Sequence, residues 1–198
     1  MTPWMYPALA LMIAYGLGSV PFGLLLARLF GAGDIRQIGS GNIGATNVLR
    51  TGRKGLAAGT LLLDMAKGAA AVLIAERIAP GLGLIGGVGS FLGHLYPIWL
   101  KFKGGKGVAT MLGIALALSW QIGLVYALVW LGSLAVTRIS SVSGMAAALS
   151  APVAALVFTK VNVALMLLAL ALIVIWKHGE NIRRLLDGTE PKVGQKTA

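Results

Sequence analysis

Six apolar runs, long and unbroken by alternation, decide what this chain can become. They cover residues 4–30, 56–78, 82–100, 109–137, 145–158 and 161–176. Hydrocarbon offers no water to backbone N–H and C=O groups, so only helices and closed barrels span it. Continuous rather than alternating apolarity selects helices. Only 12% of the residues are charged and 57% are hydrophobic, against about 25% charged in ordinary soluble domains. That is too little charge to cover a water-soluble globule. Residues 1–198 are expected to form one polytopic membrane domain, with nothing long enough to fold separately outside it.

The number of crossings turns on residues 109–137, apolar except for Ser119-Trp120-Gln121. As one helix they would reach about 44 Å at 1.5 Å per residue, well beyond a hydrocarbon core of about 30 Å. Charge decides more firmly. No Lys or Arg precedes Arg28, so the N-terminus is expected outside, and the loop with Arg36, Arg50, Arg53 and Lys54 inside. Lys101, Lys103 and Lys106 return to the inside two helices later. A single crossing by 109–137 would then carry Arg138 and the basic tail outside. A break at Trp120-Gln121 instead brings Arg138, Lys177, Arg183, Arg184, Lys192 and Lys196 back to the inner face. The expectation is an all-α integral membrane protein with seven transmembrane helices, the N-terminus outside and the C-terminus cytoplasmic. Pro21 should bend the first helix. Glycines four apart, Gly55/Gly59, Gly83/Gly87 and Gly89/Gly93, should let helices approach closely. The first run has no charged n-region or small-residue cleavage site, so it is read as a retained helix.

The net charge of +11 gathers at helix ends. Topology and anionic lipid headgroups explain it better than nucleic acid does, so membrane lipid is a partner and nucleic acid is not. The absence of cysteine excludes disulfides, thiolate-held metals and an enzyme-bound thioester. No G-x-S-x-G elbow, H-E-x-x-H pair or His-rich cluster is present, so neither a serine-hydrolase elbow nor a metal is expected.

Three glycine-rich blocks interrupt the hydrocarbon. Residues 39–50 read G-S-G-N-I-G-A-T-N-V-L-R. The G-x-G-x-x-G match follows no strand, so the dinucleotide reading fails its context. Ser40, Asn42, Asn47 and Arg50 instead fit an anion-binding segment. Residues 102–107, F-K-G-G-K-G, run into a helix N-terminus, a ready phosphate site to which Lys106 adds a point charge beside Gly104, Gly105 and Gly107. Leu100 stands where a Walker A sequence needs glycine, so ATP hydrolysis has no support. In the tail, His178 and Asn181 share a helical face with Leu185, and His178 suits either a phosphate donor or a base. His94 reads as interfacial. Asp64 and Lys67 lie three apart inside a membrane helix, an internal ion pair supporting the site or a catalytic one. Ser141 and Ser143, in the third inner loop, could complete a polar pocket.

These blocks resemble those of the bacterial acyl-phosphate-dependent glycerol-3-phosphate acyltransferases, the PlsY family. The likeness runs nearly end to end, through residues 18–23, 39–50, Asp64 with Lys67-Gly68, Gly93-His94, 102–110 and 178–185. It implies a seven-helix enzyme of the bacterial inner membrane, N-terminus outside, with its site on the cytoplasmic side. It implies transfer of a fatty acyl group from acyl phosphate to the 1-hydroxyl of sn-glycerol 3-phosphate, the first acylation of phospholipid synthesis, with no cofactor. Carried over by motif, Ser40, Arg50, Lys106, the 104–107 loop, His178 and Asn181 are the expected site residues, with Ser141 as a looser match and Glu190 structural. An acyl phosphate is already activated, so the enzyme need only align the hydroxyl with the carbonyl and offset two phosphate charges. The proton goes to His178 or to a substrate phosphate oxygen. The reading from another class is a small carrier for an organic phosphate or ion, which would need its polar groups strung along a path.

Overall fold

The computed structural model describes residues 4–195; Lys196, counted above among the inner basic residues, lies outside them. The described residues are helical, without strands. The first apolar run forms α1 (Met5–Gly18) and α2 (Phe22–Leu29). They are followed by the short α3 (Ala45–Leu49) and the long α4 (Lys54–Ile78). Next come α5 (Gly83–Leu95), α6 (Val108–Leu118) and α7 (Trp120–Thr137). Finally α8 (Ser140–Phe158) and α9 (Val161–Lys177) precede α10 (Gly179–Leu186). Met5–Leu29, Lys54–Ile78, Trp120–Thr137 and Ser140–Phe158 are each long and apolar enough to cross a bilayer, and α9 with α10 makes a fifth such segment bent by 56°.

Pro21, expected to bend the first helix, interrupts it outright. It has no N–H, and its ring excludes a helical carbonyl four residues back, so the chain leaves the helix at Ser19-Val20. In lipid the carbonyls freed there need donors. Lys67 Nζ donates to the Val20 carbonyl at 2.8 Å, and Trp99 Nε1 to that of Ser19 at 2.8 Å. Lys67 is itself held 2.7 Å from Asp64 Oδ1, and both side chains are almost wholly buried. The Asp64/Lys67 pair therefore ties α4 to the break.

The split in residues 109–137 falls at Ser119, whose φ of −164° and ψ of 124° interrupt the helix just before Trp120-Gln121; the break was expected at that pair, which instead opens α7. At 11 residues, α6 is only about 16 Å long, and it lies against α4 on glycines. A Cβ on Gly113 would collide with the Met65 carbonyl oxygen, and one on Gly68 with that of Thr110. Gly93 packs in the same way on α1, as expected. Gly55 and Gly59 do not: a Cβ on the first would meet nothing within 4 Å, and one on the second only ordinary contact with Leu26. Periodicity alone could not separate a glycine facing a neighbour from one facing solvent or lipid.

Two further boundaries differ from expectation. The third run leaves the helix at Leu95 rather than at 100. A 3-10 turn, Ile98–Leu100, follows, and Lys101 and Phe102 take left-handed φ of 52° and 61°. Gly104 and Gly105 then donate their N–H groups to the Leu95 and His94 carbonyls at 3.0 Å, closing the end of α5. The sixth apolar helix begins at Ser140 rather than 145, placing Ser141 and Ser143 in its first turn and not in a loop. At the far end Glu76 accepts from the Gly81 and Gly83 N–H groups, ahead of and within the first turn of α5.

Leu24, Ile35, Ile43, Val48 and Ala57 form a small core that docks the first glycine-rich block against α2 and α4. A larger core, from Phe91 through Ile114, Tyr126 and Ala151 to Val174, joins α5 to α9. Outward, Leu128, Leu131, Leu165 and Leu172 are exposed, an apolar belt suited to lipid. Removing one partner of a buried ion pair costs about 3–5 kcal/mol. Lys67→Met should therefore lower Tm sharply in detergent, and Lys67→Met/Asp64→Leu should recover much of the loss. A single variant melting with the parent would remove the pair from this role.

Candidate active site

The three blocks meet at one cavity of about 130 Å³. Ser40, Asn42, Asn47 and Arg50 line it from the first block, Lys106 and Gly107 from the second, and His178 and Asn181 from the third. Ser141 and Asp64 also face it. Gly104, Gly105 and Lys67 do not line it. The first two have their N–H groups engaged by α5, and Lys67 points to the helix break.

Local geometry explains how each block is held. Asn47, 2% exposed, donates to the Ile35 carbonyl at 2.7 Å and accepts from the Ser40 N–H at 3.3 Å. Asn42 accepts from the Gly44 N–H at 2.9 Å. Both asparagines thus shape the loop in which Ser40 and Arg50 stand. Gly39 has φ of 56°, and the Arg50 guanidinium lies where a Cβ would be. Only glycine combines that conformation with that contact.

Lys106 donates to the Asn181 side-chain oxygen. Burial, then the Arg184 guanidinium, lowers its ammonium to about 8. Gly107, with φ of 87°, turns the chain into α6, whose first residues Val108 and Ala109 also line the cavity. The opening N–H groups of a helix have no intrahelical partner and attract anions.

His178 sits at the bend between α9 and α10. Its Nδ1 lies 2.8 Å from the Val174 carbonyl, so Nδ1 carries the proton and Nε2 is left as an acceptor. Burial brings its pKa down to about 4, against a partly offsetting rise from the Val174 bond. The ring is therefore neutral near pH 7 and offers a lone pair; donation to phosphate through Nε2 is not available in this tautomer.

Two residues do more here than the sequence revealed. The Glu190 carboxylate accepts from Ser141 Oγ at 2.6 Å, Asn181 Nδ2 at 2.5 Å and Arg184 Nε at 2.7 Å. Burial alone would raise its pKa, but these bonds, led by Ser141, hold it below the ordinary glutamate value. It thereby fixes the Asn181 amide with its oxygen toward Lys106. The one signal was an acid set in a basic tail. His94, read as interfacial, is buried in the deep wall of the cavity with Nδ1 3.7 Å from Asp64 Oδ1. An intramembrane carboxylate without a second donor in sequence was the available hint. Leu61, Val108 and Trp130 give the cavity an apolar margin.

Two cations and a helix N-terminus thus stand beside an unprotonated imidazole in a cavity with an apolar edge, within a bundle of apolar helices. A family model described as glycerol-3-phosphate acyltransferase matches residues 8–188. The glycerol-3-phosphate acyltransferase of Mesorhizobium japonicum is 55% identical over 95% of this chain and 96% of its own, and that of Erythrobacter litoralis 56% identical over 96% of each. The crystal structure of PlsY (YgiH), an integral membrane glycerol 3-phosphate acyltransferase, in its glycerol 3-phosphate form superposes with a TM-score of 0.90 at 40% identity, covering 95% of this chain and 96% of that one. Its lysophosphatidic acid form gives 0.85 at 38% identity, covering 94% of each chain. The chain belongs to the PlsY family of integral membrane glycerol-3-phosphate acyltransferases.

With the Lys106 pKa at about 8, the site keeps its full positive charge below that pH and loses it as pH rises through it. Affinity for inorganic phosphate should accordingly fall above about pH 8, whereas Lys106→Arg should hold it. A flat profile for the parent across that range would take Lys106 out of the anion site.

Proposed function

We propose that the chain moves a fatty acyl group from acyl phosphate to the 1-hydroxyl of sn-glycerol 3-phosphate. The products are 1-acylglycerol 3-phosphate and inorganic phosphate, and the site faces the cytoplasm at a bacterial inner membrane crossed by seven helices, N-terminus outside. The observation that carries this is the convergence of Arg50, Lys106 and the first turn of α6 on one cavity with His178 and an apolar edge. The relatives' glycerol 3-phosphate and lysophosphatidic acid forms supply substrate and product chemistry in keeping with it.

In the proposed step the acceptor hydroxyl oxygen attacks the acyl carbonyl carbon and the carbonyl carbon–phosphate oxygen bond breaks. Lys106 and the α6 N–H groups face the phosphate and the charge that develops on it. Arg50, with Ser40 beside it, holds the second phosphate. Asn181 and Ser141, fixed by Glu190, and the loop asparagines Asn42 and Asn47 keep the walls in register. His178 Nε2 accepts from the glycerol hydroxyl and orients it. A base with a pKa of about 4 is poorly matched to a reaction near neutrality, so the proton passes to the departing phosphate. Gly104 and Gly105 act through loop shape, because their N–H groups serve α5. Asp64 supports the deep wall and Lys67 the helix behind it.

Acyl phosphate is preferred as donor because a mixed anhydride needs no strong base, and the cavity offers none. Apart from Asp64 and His94 in the deep wall, the cavity's polar groups gather where α6 and α8 begin and α9 ends, which favours transfer over a carrier's path.

Purified protein with labelled glycerol 3-phosphate should form 1-acylglycerol 3-phosphate from acyl phosphate and not from acyl-CoA; equal use of both would overturn the donor assignment. Lys106→Ala should reduce kcat by about 10²–10³-fold, as loss of one charge-stabilising donor does, and near-parental turnover would end its phosphate role. His178→Ala should chiefly raise KM for glycerol 3-phosphate. A large fall in kcat at unchanged KM would instead make His178 the base.

A further inference from the structure

A second cavity, of about 540 Å³, adjoins the first on its outer side. The two share Thr46, Arg50 and Ser140 as a common wall. At about 130 Å³ the inner cavity falls short of the roughly 300–1,000 Å³ of ordinary small-molecule sites. The outer one lies within that range.

The charge of the outer lining is one-sided. Arg50, Lys54 and Lys192 contribute three cations, and among the described residues no carboxylate faces them. Lys54 is the first residue of α4. A helix N-terminus carries a positive partial charge, so a cation there is unfavourable. The helix gains nothing from a lysine at that position, whereas an anion beside it would gain from both charges. Lys192 comes from the tail, which is tied down on either side of it. Glu190 is held by Ser141, Asn181 and Arg184, and the Val193 N–H donates to the Arg138 carbonyl at 2.7 Å. The tail thus forms a fixed wall that presents its lysine to a cavity opening on Arg50.

We propose that this outer cavity is a docking site for a phosphate monoester arriving from water. It is the vestibule through which the polar acceptor reaches Arg50 and Lys106 and by which inorganic phosphate leaves. The proposal deepens the acyl-transfer reading and rests on it for the identity of the ester. Lys54 and Lys192 are exposed, so their pull acts mainly at low ionic strength and is screened beyond about 8–10 Å near physiological salt.

The test compares the full-length protein with Lys54→Gln/Lys192→Gln, neither lysine lying in the reaction cavity. Equilibrium binding of labelled inorganic phosphate should show two classes of site in the parent, one in the reaction cavity at Lys106 and Arg50 and one in the outer cavity. The double variant should lose the second class and keep the first, and Lys106→Ala should weaken the first and keep the second. In turnover at low salt, KM for glycerol 3-phosphate should rise about tenfold in the double variant, with kcat within about twofold, and the difference should shrink at about 1 M salt. A single class of phosphate site in the parent would overturn the proposal, as would a double variant with parental stoichiometry or with KM unchanged at low salt. Lys54→Arg/Lys192→Arg, which keeps the charge, should retain both classes. Loss of one there would show that charge is not the cause, and the proposal would fall. Two phosphate classes in a parent that transfers no acyl group from acyl phosphate would sink the reaction reading and leave the docking site standing.

Discussion

A lysine ammonium answering a backbone carbonyl inside lipid holds this architecture together. Where Pro21 interrupts the first helix, Val20 and Ser19 expose carbonyls that hydrocarbon cannot solvate, and Lys67 and Trp99 supply the donors. The charge so introduced needs its own counterpart, and Asp64 stands one turn away at 2.7 Å. One local fault in a helix therefore fixes the rotation of α4 and brings Trp99 back against α1. It also sets Asp64 beside His94 in the deep wall of the cavity. Close glycine contacts then bring α6 onto α4, and the Lys106 turn that precedes α6 shares a cavity with Arg50.

The site is assembled by helix ends rather than by any one loop. The end of α5 is closed by Gly104 and Gly105, which places Lys106 at the start of α6. The bend after α9 turns His178 and Asn181 inward, and the Val174 carbonyl sets the imidazole tautomer. Glu190 joins α8 to α10 and sets the amide that meets Lys106. Positive side chains are abundant, but few of them are held by acids within the cavity, so the arrangement is charged for an anion and short of a base. That balance suits a reaction whose substrate brings its own activation.

Hydrophobicity and charge bias were enough to locate the apolar segments, the fault at Pro21 and the break near Ser119, because each reflects a cost counted along the chain. Glycine-rich blocks with cations marked Ser40, Arg50, Lys106 and His178, and the cavity gathers all four. Other features depend on distances across space and were not legible. Gly104 and Gly105 look like a phosphate loop, yet their N–H groups close α5. Asn42 and Asn47 look like ligands, yet their amides brace their own loop. Glycine spacing named Gly55/Gly59, where nothing packs closely, and passed over Gly68 and Gly113, where backbones nearly touch. The partners of Glu190 and His94 could not be foreseen, because a single acid or histidine carries no periodic signal.

The tie from Glu190 to Ser141 and Asn181 comes late in the chain. Residue 190 follows the last apolar helix, which ends at Lys177. A chain cut just short of it would keep every apolar segment while the Asn181 amide lacked its carboxylate brace. The last stretch of sequence therefore completes the wall of a cavity whose membrane-embedded part precedes it.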